Sequence, residues 1–316
     1  MKHFVVKNTQ KYFNVAYSFD NLPERREKYN SYDVVWDVHF ANEYPNSYLD
    51  IYYAKSDNKA SCPVIFYIHG GGYTWGDRRS GDPAGLPDAS FWFYEEFLKD
   101  GYNVVCVDYA YAPEFNYPTP IIQIGQAIKF LLNRADEYEL NMECLIIGGG
   151  SAGGQLAGQF VNIQTNRKYS NEIGINSVID AMSIKAVIFN SALLDMECFS
   201  NVNTRMNAFI FKKCEQAYFN TKKLKNHPQV YQAKVTEHVS ELFPPSYISD
   251  GNTGTFNNQA FELNDKLEKF GIKHHLTFYG LEHGIIPHGF EGANNELGRE
   301  NMRLQLKFLD EILNEK

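Results

Sequence analysis

Two glycine-rich turns, each directly behind a short apolar run, constrain this chain more than any other feature. Val64-Ile65-Phe66-Tyr67-Ile68 leads into His69-Gly70-Gly71-Gly72, and Cys144-Leu145-Ile146-Ile147 leads into Gly149-Gly150-Ser151-Ala152-Gly153. Short continuous apolar runs fit strands buried on both faces, as in a parallel sheet covered by helices. A G-x-S-x-G at the exit of such a strand holds its serine on a tight strand-to-helix turn with the hydroxyl in the open. Glycines at 149 and 153 let that turn pass closely between strand and helix. Consecutive glycines at the other exit leave backbone N–H groups free to face a negative oxygen. One element supplies an attacker and the other a charge stabiliser, which together describe acyl transfer.

The rest of the chain supports an α/β architecture. Strands are expected at 49–53, 64–68, 104–107, 145–147, 185–189, 247–249 and 276–279, and helices at 89–99, 121–132, 155–161, 261–270 and 302–313. Such alternation builds a mostly parallel central sheet with helices on both faces, and ligands then bind beyond the carboxyl ends of the strands. Both glycine turns lie at such ends. Residues 1–48 are polar, charged and aromatic with little clean periodicity, and read as an N-terminal cap segment in which Glu24-Arg25-Arg26-Glu27-Lys28 is a solvated helical stretch. Residues 49–316 form the main domain. The pattern breaks over 195–240, which is expected to insert into a small cap or pocket wall.

Between the two glycine turns lies Val107-Asp108-Tyr109-Ala110-Tyr111-Ala112-Pro113-Glu114. HGGG, this segment and GGSAG, in that order, resemble the hormone-sensitive-lipase-like carboxylesterases of the α/β-hydrolase superfamily, which carry D-Y-R-L-A-P-E where this chain has DYAYAPE. Leu49-Asp50-Ile51-Tyr52 and residues 69–77 are also similar to bacterial sugar-ester and xylan-acetyl esterases. The resemblance runs from about residue 49 to the end. It implies the α/β-hydrolase fold, Ser151 as nucleophile, and the N–H groups of Gly71, Gly72 and Ala152 as an oxyanion hole. It also implies that Asp108 and Glu114 brace the sheet and the oxyanion region.

This superfamily runs Ser, acid, His along the chain. Two histidines follow the last strand, His283 in Glu282-His283-Gly284-Ile285 and His288 in Pro287-His288-Gly289-Phe290. His288 reproduces the family's H-G-F in full and is the preferred base, with His283 as the alternative. The acid departs from the pattern. Counting from Pro244-Pro245, the family's Asp falls where this chain has Gly254 or Thr255, while Asp250 comes earlier, near the strand end. Either the loop brings Asp250 to the histidine or the third member is missing. The acid orients and stabilises the imidazolium, so its loss weakens catalysis without abolishing it.

These motifs point to a serine carboxylesterase acting on small acyl groups through an acyl-enzyme, without cofactor or metal. The alternatives are a catalytically weak or inactive small-molecule binder of the same fold, and an amidase or formamidase. Gly148, Gly150 and Gly153 also satisfy G-x-G-x-x-G, but no convincing acidic residue ends a second strand about 20 positions on, and the HGGG turn has no place in a dinucleotide site. His274 and His275 lack a third ligand at metal-site spacing. A net charge of −8 without a Lys/Arg cluster disfavours nucleic acid. The first residues lack the apolar stretch of a signal peptide, and no run approaches the roughly 18 apolar residues of a membrane span. Five cysteines without CxxC spacing read as reduced thiols, so a cytoplasmic location is expected. The aromatic content of 15% suits an aromatic-walled pocket, and aromatics in the cap hint at a homodimer.

Overall fold

A computed structural model describes residues 3–12, 15, 17, 22–79, 91–197 and 202–314. Nine strands form one sheet: β1 (Arg25–Tyr29), β2 (Tyr32–His39), β3 (Tyr48–Tyr52), β4 (Val64–Ile68), β5 (Asn103–Val107), β6 (Leu145–Gly150), β7 (Ile184–Asn190), β8 (Ser246–Asp250) and β9 (His274–Phe278). Their order is β1-β2-β3-β5-β4-β6-β7-β8-β9. Neighbours from β5 across to β9 are parallel, and β1, β2 and β3 join antiparallel at one edge.

Helices cover both faces, as the unbroken apolar strands require. On β4, Val64, Phe66 and Ile68 face one core, shared with Ile124 of α3 (Thr119–Leu132), Phe160 of α4 (Ala152–Thr165) and Leu263 of α9 (Asn257–Lys269). Ile65 and Tyr67 face the other, shared with Phe97 of α2 (Phe91–Lys99) and Leu309 of α10 (Glu296–Asn314). This is the α/β-hydrolase fold. Every expected strand and helix from residue 49 onward is present, with bounds shifted by a few residues; the expected start of α2 at 89–90 lies outside the described residues. A short further helix, α5 (Arg167–Ile173), follows α4.

The N-terminal region differs from expectation. The stretch around 24–28 is not helical: Arg25–Tyr29 is strand β1, paired residue by residue with β2, so the sheet begins at residue 25. Local charge alternation had the look of a solvated helix, but it serves cross-strand pairing. Lys28 meets Asp33 at 2.7 Å and Arg25 meets Asp37 at 3.0 Å. A charged edge strand of this kind also discourages pairing with other chains. Helix α1 (Phe4–Tyr12) buries Val6 and packs against α6 (Arg205–Tyr218). The 195–240 stretch also holds two short helices, α7 (Pro228–Gln232) and α8 (Val235–His238). Cys62, Cys106, Cys144 and Cys214 are free thiols; Cys198 lies outside the described residues. Among the described residues no helix is long and apolar enough to cross a membrane.

Beyond the HGGG turn, a buried ion cluster ties the chain to the sheet. The Arg78 guanidinium engages Asp50 of β3 at 2.9 Å and also contacts Asp37 of β2 and Asp108 beyond β5. Arg79 adds contacts of 2.7 Å to Asp37 and Asp50. Removing one member of a buried pair leaves uncompensated charge, which costs about 3–5 kcal/mol. Arg78→Ala is therefore expected to lower unfolding stability by that amount, read as a fall in the urea midpoint; an unchanged midpoint would show that Arg79 alone holds the carboxylates.

Candidate active site

Parallel pairing sets the site. β4 and β6 are neighbours in register, with Ile68 opposite Gly149, so the two glycine turns leave the sheet side by side. The contact is closer still at Gly153. A Cβ placed there would lie 2.0 Å from the Ile68 carbonyl oxygen, so only glycine lets α4 start this near the end of β4. Ser151 takes the strain of the turn, at φ 52° and ψ −119°. Such a backbone costs on the order of 1–3 kcal/mol and persists only where the surroundings enforce it. Here the Ser151 N–H donates to Asn190 O at 2.9 Å, and Ser151 O accepts from the N–H groups of Leu193 and Gln155.

The HGGG turn is held from behind. The Tyr109 hydroxyl donates to the carbonyls of His69 and Gly70, both at 3.0 Å, and the N–H groups of Thr74 and Trp75 donate to Gly71 O. Gly71 and Gly72 have positive φ, and a Cβ on Gly72 would lie 3.0 Å from the Cys214 sulfur of α6. His69 stacks on Tyr109 at 4.3 Å between ring centres and lies 3.8 Å from Asp108. Burial lowers its pKa, which keeps the imidazole neutral. Asp108 thus joins the bracing of this region. Glu114 does not: it binds the Tyr17 hydroxyl at 2.6 Å and contacts Lys7, so it anchors the N-terminal segment.

His288 Nε2 lies 3.0 Å from Ser151 Oγ. His283 is elsewhere, with its side chain half exposed and its ring beside Tyr279 and Glu282. The His288 ring is flanked by Phe211 of α6 and by Phe256, each at 5.2 Å between centres. Burial pushes its pKa down to about 4, so the imidazole is neutral at neutral pH and Nε2 is available to accept a proton. Asn252 staples the loop that carries it: its Oδ1 accepts from Ile286 N at 3.0 Å and its Nδ2 donates to Gly284 O at 2.9 Å.

Asp250 sits at the end of β8, fully buried, and reaches His288 only through another side chain. The His288 Nδ1 partner is Thr255 Oγ1 at 3.0 Å, and Thr255 Oγ1 is in turn hydrogen-bonded to Asp250 Oδ1. Thr255 is one of the two residues at the family's acid position, so the substitution visible in sequence has become a bridge. Burial pushes Asp250 up to about 7, against hydrogen bonds from Thr255 and the Gly251 N–H.

Glu291 was not visible as a site residue. It is 2% exposed, accepts hydrogen bonds from Ser191 and Ser249, and faces Asp250. Burial and then the Asp250 charge raise its pKa well above the ordinary carboxyl range. Its only hint in the sequence is an acidic residue directly after His288-Gly289-Phe290. A carboxyl raised by folding contributes stability that is present below its unfolded pKa and is lost as pH rises through the folded value. Glu291→Gln is accordingly expected to raise Tm by roughly 2–4 °C at pH 8–9 and to leave it unchanged near pH 5. Calorimetry at the two pH values checks this, and an equal shift at both would show that charge is not the cause.

Comparison with known proteins agrees with this architecture. The family model BD-FAE matches residues 49–267. An esterase of Gibberella moniliformis is 25% identical over 154 residues, covering 48% of this chain and 45% of that protein. An acetyl esterase of Salmonella schwarzengrund is 30% identical over 102 residues, covering 32% and 29%. The chain thus spans less than half the length of these curated relatives. The crystal structure of esterase B from Lactobacillus rhamnosis superposes with a TM-score of 0.72 over 98% of this chain and 91% of that one, at 17% identity, a likeness of fold.

Proposed function

The chain belongs to the BD-FAE family, and from that premise we propose that it is a serine carboxylesterase that cleaves esters of small acyl groups through an acyl-enzyme. The observation that carries the reading is the 3.0 Å contact between Ser151 Oγ and the Nε2 of a neutral, half-buried His288, beside a turn whose carbonyls are already taken. In this reading Ser151 gives its proton to His288 Nε2 as Oγ attacks the ester carbonyl. The N–H groups of Gly71, Gly72 and Ala152 receive the negative oxygen; losing one such donor typically costs roughly 100-fold or more. His288 then passes the proton to the departing alkoxide, and a water activated by the same imidazole hydrolyses the acyl-enzyme. Asp250 is the acid of the site.

The preference for small acyl groups is supported by how closely the site is walled. Ser151 is only 7% exposed, Cys214 of α6 abuts Gly72, and Phe211 and Phe256 flank the histidine. Curated relatives named as an esterase and an acetyl esterase point the same way.

Ser151→Ala is expected to reduce hydrolysis of p-nitrophenyl acetate by roughly 10³-fold or more with little change in Tm. A fluorophosphonate probe should label wild type at Ser151 and spare the variant. Equal hydrolysis by both proteins would remove the serine from the reaction. Absent labelling and absent turnover would favour a binding protein of the same fold, and faster turnover of anilides than of esters would favour an amidase.

A further inference from the structure

Hydrogen-bond direction constrains the four side chains that run inward from Ser151. If His288 Nε2 accepts the Ser151 proton, the neutral imidazole carries its hydrogen on Nδ1. Nδ1–H then donates to Thr255 Oγ1, 3.0 Å away. A threonine hydroxyl has one hydrogen, and the acceptor in contact with it is Asp250 Oδ1. That same oxygen accepts the Gly251 N–H at 2.7 Å. Every donor in the chain points toward Asp250, and no group is asked to donate twice.

Resting on the esterase reading, we propose that Thr255 is a positioning residue that couples Asp250 to His288, so that the acid of this enzyme acts through a hydroxyl and not by direct contact. The proton balance is simple. The Ser151 O–H bond breaks, its proton moves to His288 Nε2, and the proton later leaves with the alcohol. The Nδ1 proton and the Thr255 proton stay on their atoms throughout. What changes is the charge on the imidazole, which the Thr255 oxygen faces and the Asp250 carboxylate polarises from behind. The interposed hydroxyl lengthens the charge separation, and burial offsets that loss because few waters screen the pair.

The surroundings suit this role. Thr255 is buried, and the groups facing Asp250 are the Thr255 and Ser191 hydroxyls, the Gly251 and Phe256 N–H groups and the carboxyl of Glu291 from the turn after His288. Among the described residues neither carboxyl enters an ion pair with Lys or Arg. Protonating Asp250 removes the charge that the hydroxyl transmits, and its carboxyl titrates near 7. His288 itself titrates near 4. The relay therefore gives kcat an acid limb near pH 7 that the histidine alone does not produce.

The test compares wild type with Thr255→Ser, Thr255→Val and Asp250→Asn, each checked for Tm, by kcat and KM for p-nitrophenyl acetate from pH 5 to 9 and by the ¹⁵N spectrum of His288. Thr255→Ser is expected to stay within about threefold of wild type and to keep the acid limb. Thr255→Val and Asp250→Asn should each lower kcat at pH 8 by roughly 10–100-fold with KM within about twofold, and should flatten the limb. The double variant should be no slower than the worse single one, as expected for groups acting in series. The imidazole should lose its preference for the Nδ1–H tautomer in Thr255→Val. Wild-type kcat, limb and tautomer in Thr255→Val would overturn the relay while leaving the esterase reading intact. The imidazole spectrum decides the relay even if this ester is not turned over, whereas loss of Ser151-dependent turnover in wild type bears on the esterase reading alone.

Discussion

The whole site depends on one close approach, that of Gly153 to the carbonyl of Ile68. Parallel register between β4 and β6 brings the two strand exits together, but register alone would leave room for a side chain. Dispensing with that side chain lets helix α4 begin against the end of β4. The Ser151 hydroxyl and the glycine turn then share one small space. The strained backbone at Ser151 follows from the same constraint, since the chain must reverse within a single residue between strand and helix.

Around that contact the protein uses two kinds of polar material. On one side is an ion cluster in which Arg25, Arg78 and Arg79 face Asp37, Asp50 and Asp108, three cations against three largely buried carboxylates. It locks the segment after the glycine turn to strands that lie far away in sequence. On the other side is a carboxyl pair, Asp250 and Glu291, surrounded by hydroxyl and amide donors. Compensated charge holds the scaffold. The carboxyls behind the histidine have hydroxyl and amide partners instead, and burial raises the pKa of both.

Much of this was legible in the sequence. Unbroken apolar runs such as Val64–Ile68 announce a strand covered on both faces, and glycine clusters behind them announce the turns. The H-G-F at His288 separated it from His283, and the structure puts the former against Ser151 and the latter near the surface. Besides Glu291, three things were hidden. Strand β1 has the charge pattern of a solvated helix, because its identity comes from its partner strand and not from its own periodicity. The Arg78 cluster joins residues 28 to 42 positions apart, a distance over which no local pattern operates. The hydrogen bonds from His288 through Thr255 to Asp250 look in sequence like a missing acid, since a hydroxyl between two polar side chains has no signature of its own.

Helix α6 touches the reactive region twice, through Cys214 against Gly72 and through Phe211 against His288, and it rests in turn on α1. Gln10 of α1 adds a direct tie, donating to Thr74 O at 3.1 Å and to Ala112 O at 2.8 Å. The roof over the serine is thus buttressed from outside by a short segment that the catalytic motifs do not include. The shape of the candidate site thus depends partly on α1, which holds that roof in place.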